Sequence, residues 1–351
     1  MSNLLPLSRA GALSLLALML SGCMAGAAGP IADIALRTGA KQAVKSMTGI
    51  ATEDATAKRP LAEAGNAANL LPGTDAAKVT VKGMEHLEKR LTIPAYRLNV
   101  QTAGTAKALG KLWADSHWSS AIIALNNIDE ALLQRLTDQG YADFVTRLRN
   151  AGFEVVEYAD LPMSAAKRKA DENKQPVPYK TDFGGLYSQI YSPTKIPYFM
   201  LPGDALGPLE GMKAIGSATI PANLASENKL AALTVTIKLP FAKTATDGIL
   251  GDIKASSVLG VDPGSSVTQI TMAATSGSMQ FSQPSVTFDE RLEADAAFGT
   301  LRDKGTTAQE LLIGSWEARF FYDAVPAVYE ALALESIKRA NQVFVENLRK
   351  K

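Results

Sequence analysis

The sequence predicts an α/β to α+β fold: a mixed sheet with a strand–helix–strand (βαβ) unit at about residues 120–158, a strand-rich second half and a C-terminal amphipathic helix. Three observations point there. Ser120 to Ile128 is a short apolar run, followed by Leu132, Leu133, Leu136, Tyr141, Phe144, Val145 and Leu148 at helical spacing, then by Phe153 to Tyr158. Leu233, Val235, Ile237 and Leu239 alternate with Thr234, Thr236 and Lys238, the two-residue period of a strand with one buried face. Val325, Tyr329, Leu332, Ile337, Ala340, Phe344 and Leu348 recur at helical spacing, with Lys338, Arg339 and Glu346 turned outward.

In chain order, residues 1–22 have the layout of a removable export signal. Met1 to Arg9 carries a basic charge and no acid, Ala10 to Leu20 is apolar apart from Ser14, and small residues follow. As a helix the apolar run covers about 16 Å, roughly half of a bilayer's hydrocarbon core, so it is short for a membrane span. Leu20-Ser21-Gly22-Cys23 resembles the lipobox of bacterial lipoproteins. That resemblance implies cleavage before Cys23, a diacylglycerol on its sulfur and an acylated new amino terminus. Several buried acyl chains, at about 0.8 kcal/mol per CH₂, make a stable anchor. Met24 stands where an aspartate would signal inner-membrane retention, so the resemblance implies the periplasmic face of the outer membrane.

Residues 23–77 read as a lipidated tether, a short helix and a linker. Met24 to Pro30 is small and flexible, and Ile31 to Met47 has a weak amphipathic pattern rich in Arg37, Lys41 and Lys45. Thr48 to Ala77 is rich in Ala, Thr, Gly and Asn and poor in large apolar residues. The globular domain is expected over 78–351. Val79 to Val81 and Thr92 to Thr102 read as strands, with Pro94 at an edge or strand start, and Thr105 to Trp113 as a short helix. Asp129 is placed to cap the long helix, which is expected to break near Asp138-Gln139-Gly140 and to stop at Asn150-Ala151-Gly152. A right-handed crossover and parallel pairing of its flanking strands are expected.

Pro162 to Pro178 reads as a charged loop whose Lys167-Arg168-Lys169 run is a solvated face. Tyr179 to Pro208 crowds aromatic, Gly and Pro residues, and Ile196 to Leu201 reads as a short strand. Tyr187, Tyr191, Tyr198 and Phe199 are the candidate recognition surface there. Strands are expected at Val267 to Ala273 and Ser278 to Phe288, with residues at about 230–290 a candidate subdomain. Gly314 to Asp323 reads as a strand, and Asp323 as the cap of the closing helix, where Pro326 fits the first turn.

The chemistry-bearing residues are sparse. There are 36 Lys and Arg against 35 Asp and Glu, a balance with no electrostatic footprint for nucleic acid. The two histidines, His86 and His117, make no H-x-x-x-H pair, and lipidation consumes the single cysteine, so neither metal nor cofactor is expected. No G-x-S-x-G elbow or phosphate-binding glycine motif is present. Two readings follow. The first is a membrane-anchored periplasmic lipoprotein with a non-enzymatic structural, assembly or binding role, whose partners are the membrane and other envelope proteins or itself. The second is a periplasmic hydrolase acting on an envelope polymer through carboxylates among Asp160, Asp182, Asp204, Asp289 and Glu290. The lipobox, the strand–helix–strand unit with Leu148 to Val156, the later strands and the terminal helix together loosely resemble the curli-secretion lipoprotein group. That resemblance implies ring assembly and membrane-threading strands. The strands at 232–239 and 266–288 are short for that role or interrupted by Pro284, which favours a soluble sheet.

Overall fold

A computed structural model describes residues 66–84, 87–112, 115–183, 186–204, 214–247, 252–270, 283–306 and 315–349. The expected export signal, Cys23 and the helix expected at 31–47 lie outside these residues. The strands are β1 (Val79–Lys82), β2 (Arg90–Leu112), β3 (Asp115–Asn126), β4 (Glu154–Val156), β5 (Tyr179–Phe183), β6 (Leu186–Tyr191), β7 (Ala231–Leu239), β8 (Ala242–Asp247), β9 (Asp252–Ser257), β10 (Gly260–Val261), β11 (Ser266–Ile270), β12 (Ser285–Phe288), β13 (Leu292–Glu293), β14 (Gly299–Thr306) and β15 (Ser315–Ala324). The helices are α1 (Glu130–Asn150), α2 (Ala165–Glu172), α3 (Ile220–Asn228) and α4 (Pro326–Leu348). Among the described residues, eleven strands form one mixed sheet along the path β1-β12-β11-β7-β2-β3-β15-β14, with β4 and β6 on the other side of β2 and β5 beyond β6. The α/β class read from the sequence holds.

The strand–helix–strand unit is present, but its strands do not pair. β3 runs antiparallel to β2 from Leu112↔Asp115 to Ala103↔Ala124 and parallel to β15 from Trp118↔Ser315 to Asn126↔Asp323. Both edges of β3 are thereby occupied. β4 instead pairs parallel to the start of β2, Arg90↔Glu154 to Thr92↔Val156. The segment 105–112, expected to be helical, is the far end of β2. Its alanines suit a helix, but the ladder with β3 holds it in extended form. Pro94 falls at the register shift between Thr92 and Ala95 in the β2–β7 ladder, where a missing N–H costs no bond.

Helix α1 starts as read: Asp129 Oδ1 accepts from the Leu132 N–H at 2.6 Å. It runs unbroken through Gly140, where a break is expected. This glycine serves close approach instead, since a Cβ there would lie 2.6 Å from Ile337 Cγ2 and 2.8 Å from the Tyr96 hydroxyl. The helix ends in a Schellman turn, with Phe153 N–H on Leu148 O, Gly152 N–H on Arg149 O and Gly152 at φ +88°.

Five further expectations change. The charged loop contains α2, capped by Ser164 Oγ on Lys167 N–H at 3.2 Å. Ile196 to Leu201 forms no strand. Asp323 does not cap α4, whose N-cap is Val325 with no side-chain bond, because its carboxylate is engaged by Arg302 and Asn126. Among the described residues of the candidate subdomain at 230–290, β7, β11 and β12 belong to the main sheet, while β8–β9 and β10–β13 form two small sheets of their own. Finally, the described part of the expected linker is packed. Ala67–Leu70 and Thr74–Ala76 form 3₁₀ turns, and Leu70 and Leu71 are buried in the core.

α1 and α4 cover one face of the sheet. Tyr96 meets Tyr141 edge-on at 5.8 Å and bonds Asn341 Oδ1 at 3.2 Å, while Asn341 Nδ2 donates to Gly140 O at 2.8 Å. Phe288 of β12 stacks edge-on with Phe344 of α4 at 5.4 Å. Leu233, Val235, Ile237 and Leu239 are buried as the alternation predicts. So is the α4 stripe from Tyr329 to Leu348, whereas Val325 is exposed. On the opposite face of β2, Arg97 is buried against Phe199.

Candidate functional site

The opposite face is organised by the segment from Ser192 to Asp204, which has little regular structure and is pinned at several points. Arg97, two residues past the Ala95 bulge, is 2 % exposed. Its guanidinium donates to Phe199 O, and its Nε lies 2.7 Å from Asp204 Oδ2. The Nε–H points off that line, so the contact is ionic rather than a straight hydrogen bond. The guanidinium carbon sits 5.2 Å from the Tyr198 ring centre and 5.7 Å from that of Phe199. Burial pushes the Asp204 carboxyl above its ordinary range, opposed by the charge of Arg97 and by the Leu201 N–H, which donates to it at 2.8 Å. This is an internal clamp: two charges removed from water hold each other, and both have further partners.

The other end of the segment is held by α1. Asp138 accepts from Thr194 N–H at 2.7 Å and from its hydroxyl at 2.8 Å, and Gln134 Nε2 donates to Ser192 O at 2.9 Å. Ser192 Oγ donates to Ile196 O at 3.0 Å, and Gln175 N–H to Tyr198 O at 2.7 Å. Between this segment, α1, the end of α2 and the 3₁₀ turn Tyr158–Asp160 lies an open groove of about 570 Å³. Pro176, Pro193, Ile196 and Pro197 line it with Lys174 and Lys195. Tyr158 donates to Asp171 Oδ1 at 3.3 Å, and burial raises its hydroxyl pKa, with the Asp171 charge adding to the rise.

The four aromatics read as a recognition surface are not one. Tyr191, Tyr198 and Phe199 are at most 1 % exposed, and only Tyr187, 37 % exposed on β6, faces solvent. The crowding of aromatics and prolines marks a segment folded against the sheet, and Tyr198 is the one member that also lines the groove.

The candidate carboxylates are dispersed. Asp204 is inside the clamp, Asp289 accepts from the Thr80 hydroxyl at 2.9 Å and Glu290 pairs with Lys78 at 2.8 Å at the β1 edge. Asp160 is exposed beside the groove, and the side chain of Asp182 is not among those described. His117 lies within β3, while His86 and Cys23 lie outside the described residues. Among the described residues, no cluster of three or more His, Cys, Asp or Glu could hold a metal ion, and no helix is long and apolar enough to cross a membrane.

No known protein family, curated protein or solved structure matches the chain.

Sequence reasoning missed Arg97, Asp138 and the two groove lysines. Arg97 had one signal, a lone charge between Ile93, Ala95 and apolar neighbours on both strand faces. Lys174 and Lys195 had none, because they are 21 positions apart and meet only through the fold.

Proposed function

We infer that this protein is a lipid-anchored lipoprotein of the bacterial envelope, held at the periplasmic face of the outer membrane through Cys23, with a structural, assembly or binding role. The Leu20-Ser21-Gly22-Cys23 sequence supports the anchor. The observation that carries the assembly role is the far end of β2, beyond its ladder with β6. β6 pairs with β2 only as far as Gly104↔Leu186, while β3 accompanies the strand on its other side to Leu112. From Thr105 to Leu112 the second side of the strand forms no ladder among the described residues. A row of unpaired backbone donors and acceptors is a template for a strand from another chain.

The strand directions add to this reading. β2 is antiparallel to β3, β3 is parallel to β15, and β15 is antiparallel to β14. The β2–β3 and β14–β15 hairpins therefore turn at the same end of the sheet, and β8–β9 lies against β2 and β3. An end built of hairpins is suited to joining a partner, either another envelope protein or a second copy. β7, by contrast, is an interior strand between β2 and β11.

Two measurements test the reading. Mass spectrometry of the protein from its native membranes should find a diacylglyceryl-modified Cys23 at the amino terminus, and Cys23→Ser should move the protein out of the membrane fraction. An intact leader on the membrane-bound protein rejects the anchor. Light scattering of the detergent-solubilised protein, with crosslinking in cells, should find an oligomer or a defined envelope partner. A strict monomer without crosslinked neighbours rejects the assembly role.

A further inference from the structure

We propose that the groove between the Ser192–Tyr198 segment and the end of α2 binds an extended acidic peptide segment of a partner protein. The proposal deepens the binding role and rests on it for its biological setting, though not on the anchor.

The shape comes first. At about 570 Å³ the groove is within the usual size of ligand sites, and it is partly open to solvent. A peptide segment that stays in contact with water suits such a site better than a ligand enclosed on all sides. Its apolar wall of Pro176, Pro193, Ile196 and Pro197 is matched by an aliphatic or proline side chain on the peptide.

The charge comes second. Three charged residues line the groove: Lys174, Lys195 and Asp171. Asp171 already accepts the Tyr158 hydroxyl. Lys174 and Lys195 are exposed and make no ion pair among the described residues. Nearby Lys167 is committed, donating to Leu161 O at 2.5 Å and to Ala159 O at 3.2 Å, with its ammonium 5.3 Å from the Tyr158 ring centre. The groove thus offers two uncommitted ammonium groups beside an apolar wall, the complement of carboxylates flanking an aliphatic residue.

Rigidity comes third. Asp138 and Gln134 fix one end of the wall through Thr194 and Ser192, and the Arg97–Asp204 clamp fixes the other through Phe199. A wall held at both ends loses little entropy when a peptide docks.

The test uses the full-length protein in detergent and two fluorescein-labelled probes, the hexapeptide Gly-Glu-Pro-Leu-Asp-Glu and its counterpart with lysine at each acidic position. Fluorescence anisotropy should show saturable binding of the acidic probe alone. The double variant Lys174→Glu/Lys195→Glu should weaken it by about tenfold or more and should gain binding of the lysine probe. That gain shows that the variant is folded. Ala159→Trp, which fills the groove from an exposed position, should weaken the acidic probe without reversing the charge preference. Failure of the acidic probe to saturate by ~1 mM, or equal binding by wild type and the double variant, overturns the proposal. Either result leaves the state of Cys23 and the oligomer size to be read separately, so the two proposals fail independently.

Discussion

At the scale of single residues, the most consequential side chain is Arg97. It ties β2 to a segment a hundred positions away, and Asp204 gives it the charge that makes its burial tolerable. Removing one member of a buried pair leaves the other uncompensated, which costs about 3–5 kcal/mol. Arg97→Met is therefore expected to lower the unfolding free energy by about that amount in urea titrations. Arg97→Met combined with Asp204→Asn should be less destabilised than Arg97→Met alone, because the stranded carboxylate is gone. If the two substitutions add without interaction, the pair does not act as a clamp. Gly140 shows the same dependence on distant partners. Its local signal is a helix break, yet its lack of a Cβ is used by Ile337 and Tyr96.

At the scale of elements, β15 joins its neighbours through both backbone and charge. Arg302 of β14 donates to Asp323 from Nε at 2.6 Å and from Nη2 at 3.2 Å, and Asn126 of β3 donates from Nδ2 at 2.7 Å. The Arg302 hydrogen bond foremost, then that of Asn126, holds the Asp323 carboxyl below its ordinary value of 3.8. A carboxyl whose pKa falls on folding stabilises the native state above its unfolded pKa, and that contribution is lost as pH falls through the folded value. Asp323→Asn should thus be less stable than wild type at neutral pH, with the gap closing below about pH 4. A gap constant from pH 7 to pH 3 in parallel thermal melts would remove the charge from this account. The same carboxylate explains why the sequence's N-cap expectation for α4 fails: it has stronger donors in two neighbouring strands than the first turn of the helix supplies.

At the scale of the whole molecule, the packed region reaches back to Ala67 among the described residues. Leu70 is 1 % exposed against the core, and its carbonyl accepts from Asp295 N–H at 2.8 Å, tying the start of the described chain to the segment after β13. Leu70→Ala should cost about 2–5 kcal/mol in urea unfolding, the range for a large core side chain truncated to alanine. A protein cut to begin at Lys78 should melt lower by a comparable margin. No change in either would return residues 66–77 to the status of a linker. Their composition hid this role, because two leucines among small and polar residues look like a tether until a core exists to receive them.

The sequence by itself determined the elements whose cause is local. α1 has its cap at Asp129 and its Schellman turn at Gly152, α4 has its apolar stripe, and β7 has its alternation. Each follows from hydrogen bonds or side-chain periods within a few residues. The proposed lipobox is local in the same way, a short stretch whose expected chemistry follows from residues in a row. Only the tertiary structure decided which strands pair, why 105–112 is extended, that three of the four candidate aromatics are buried, and that Lys174 and Lys195 share a groove. Those outcomes depend on which edge, wall or charge lies within reach once the chain has closed on itself, and distance along the sequence carries no record of that.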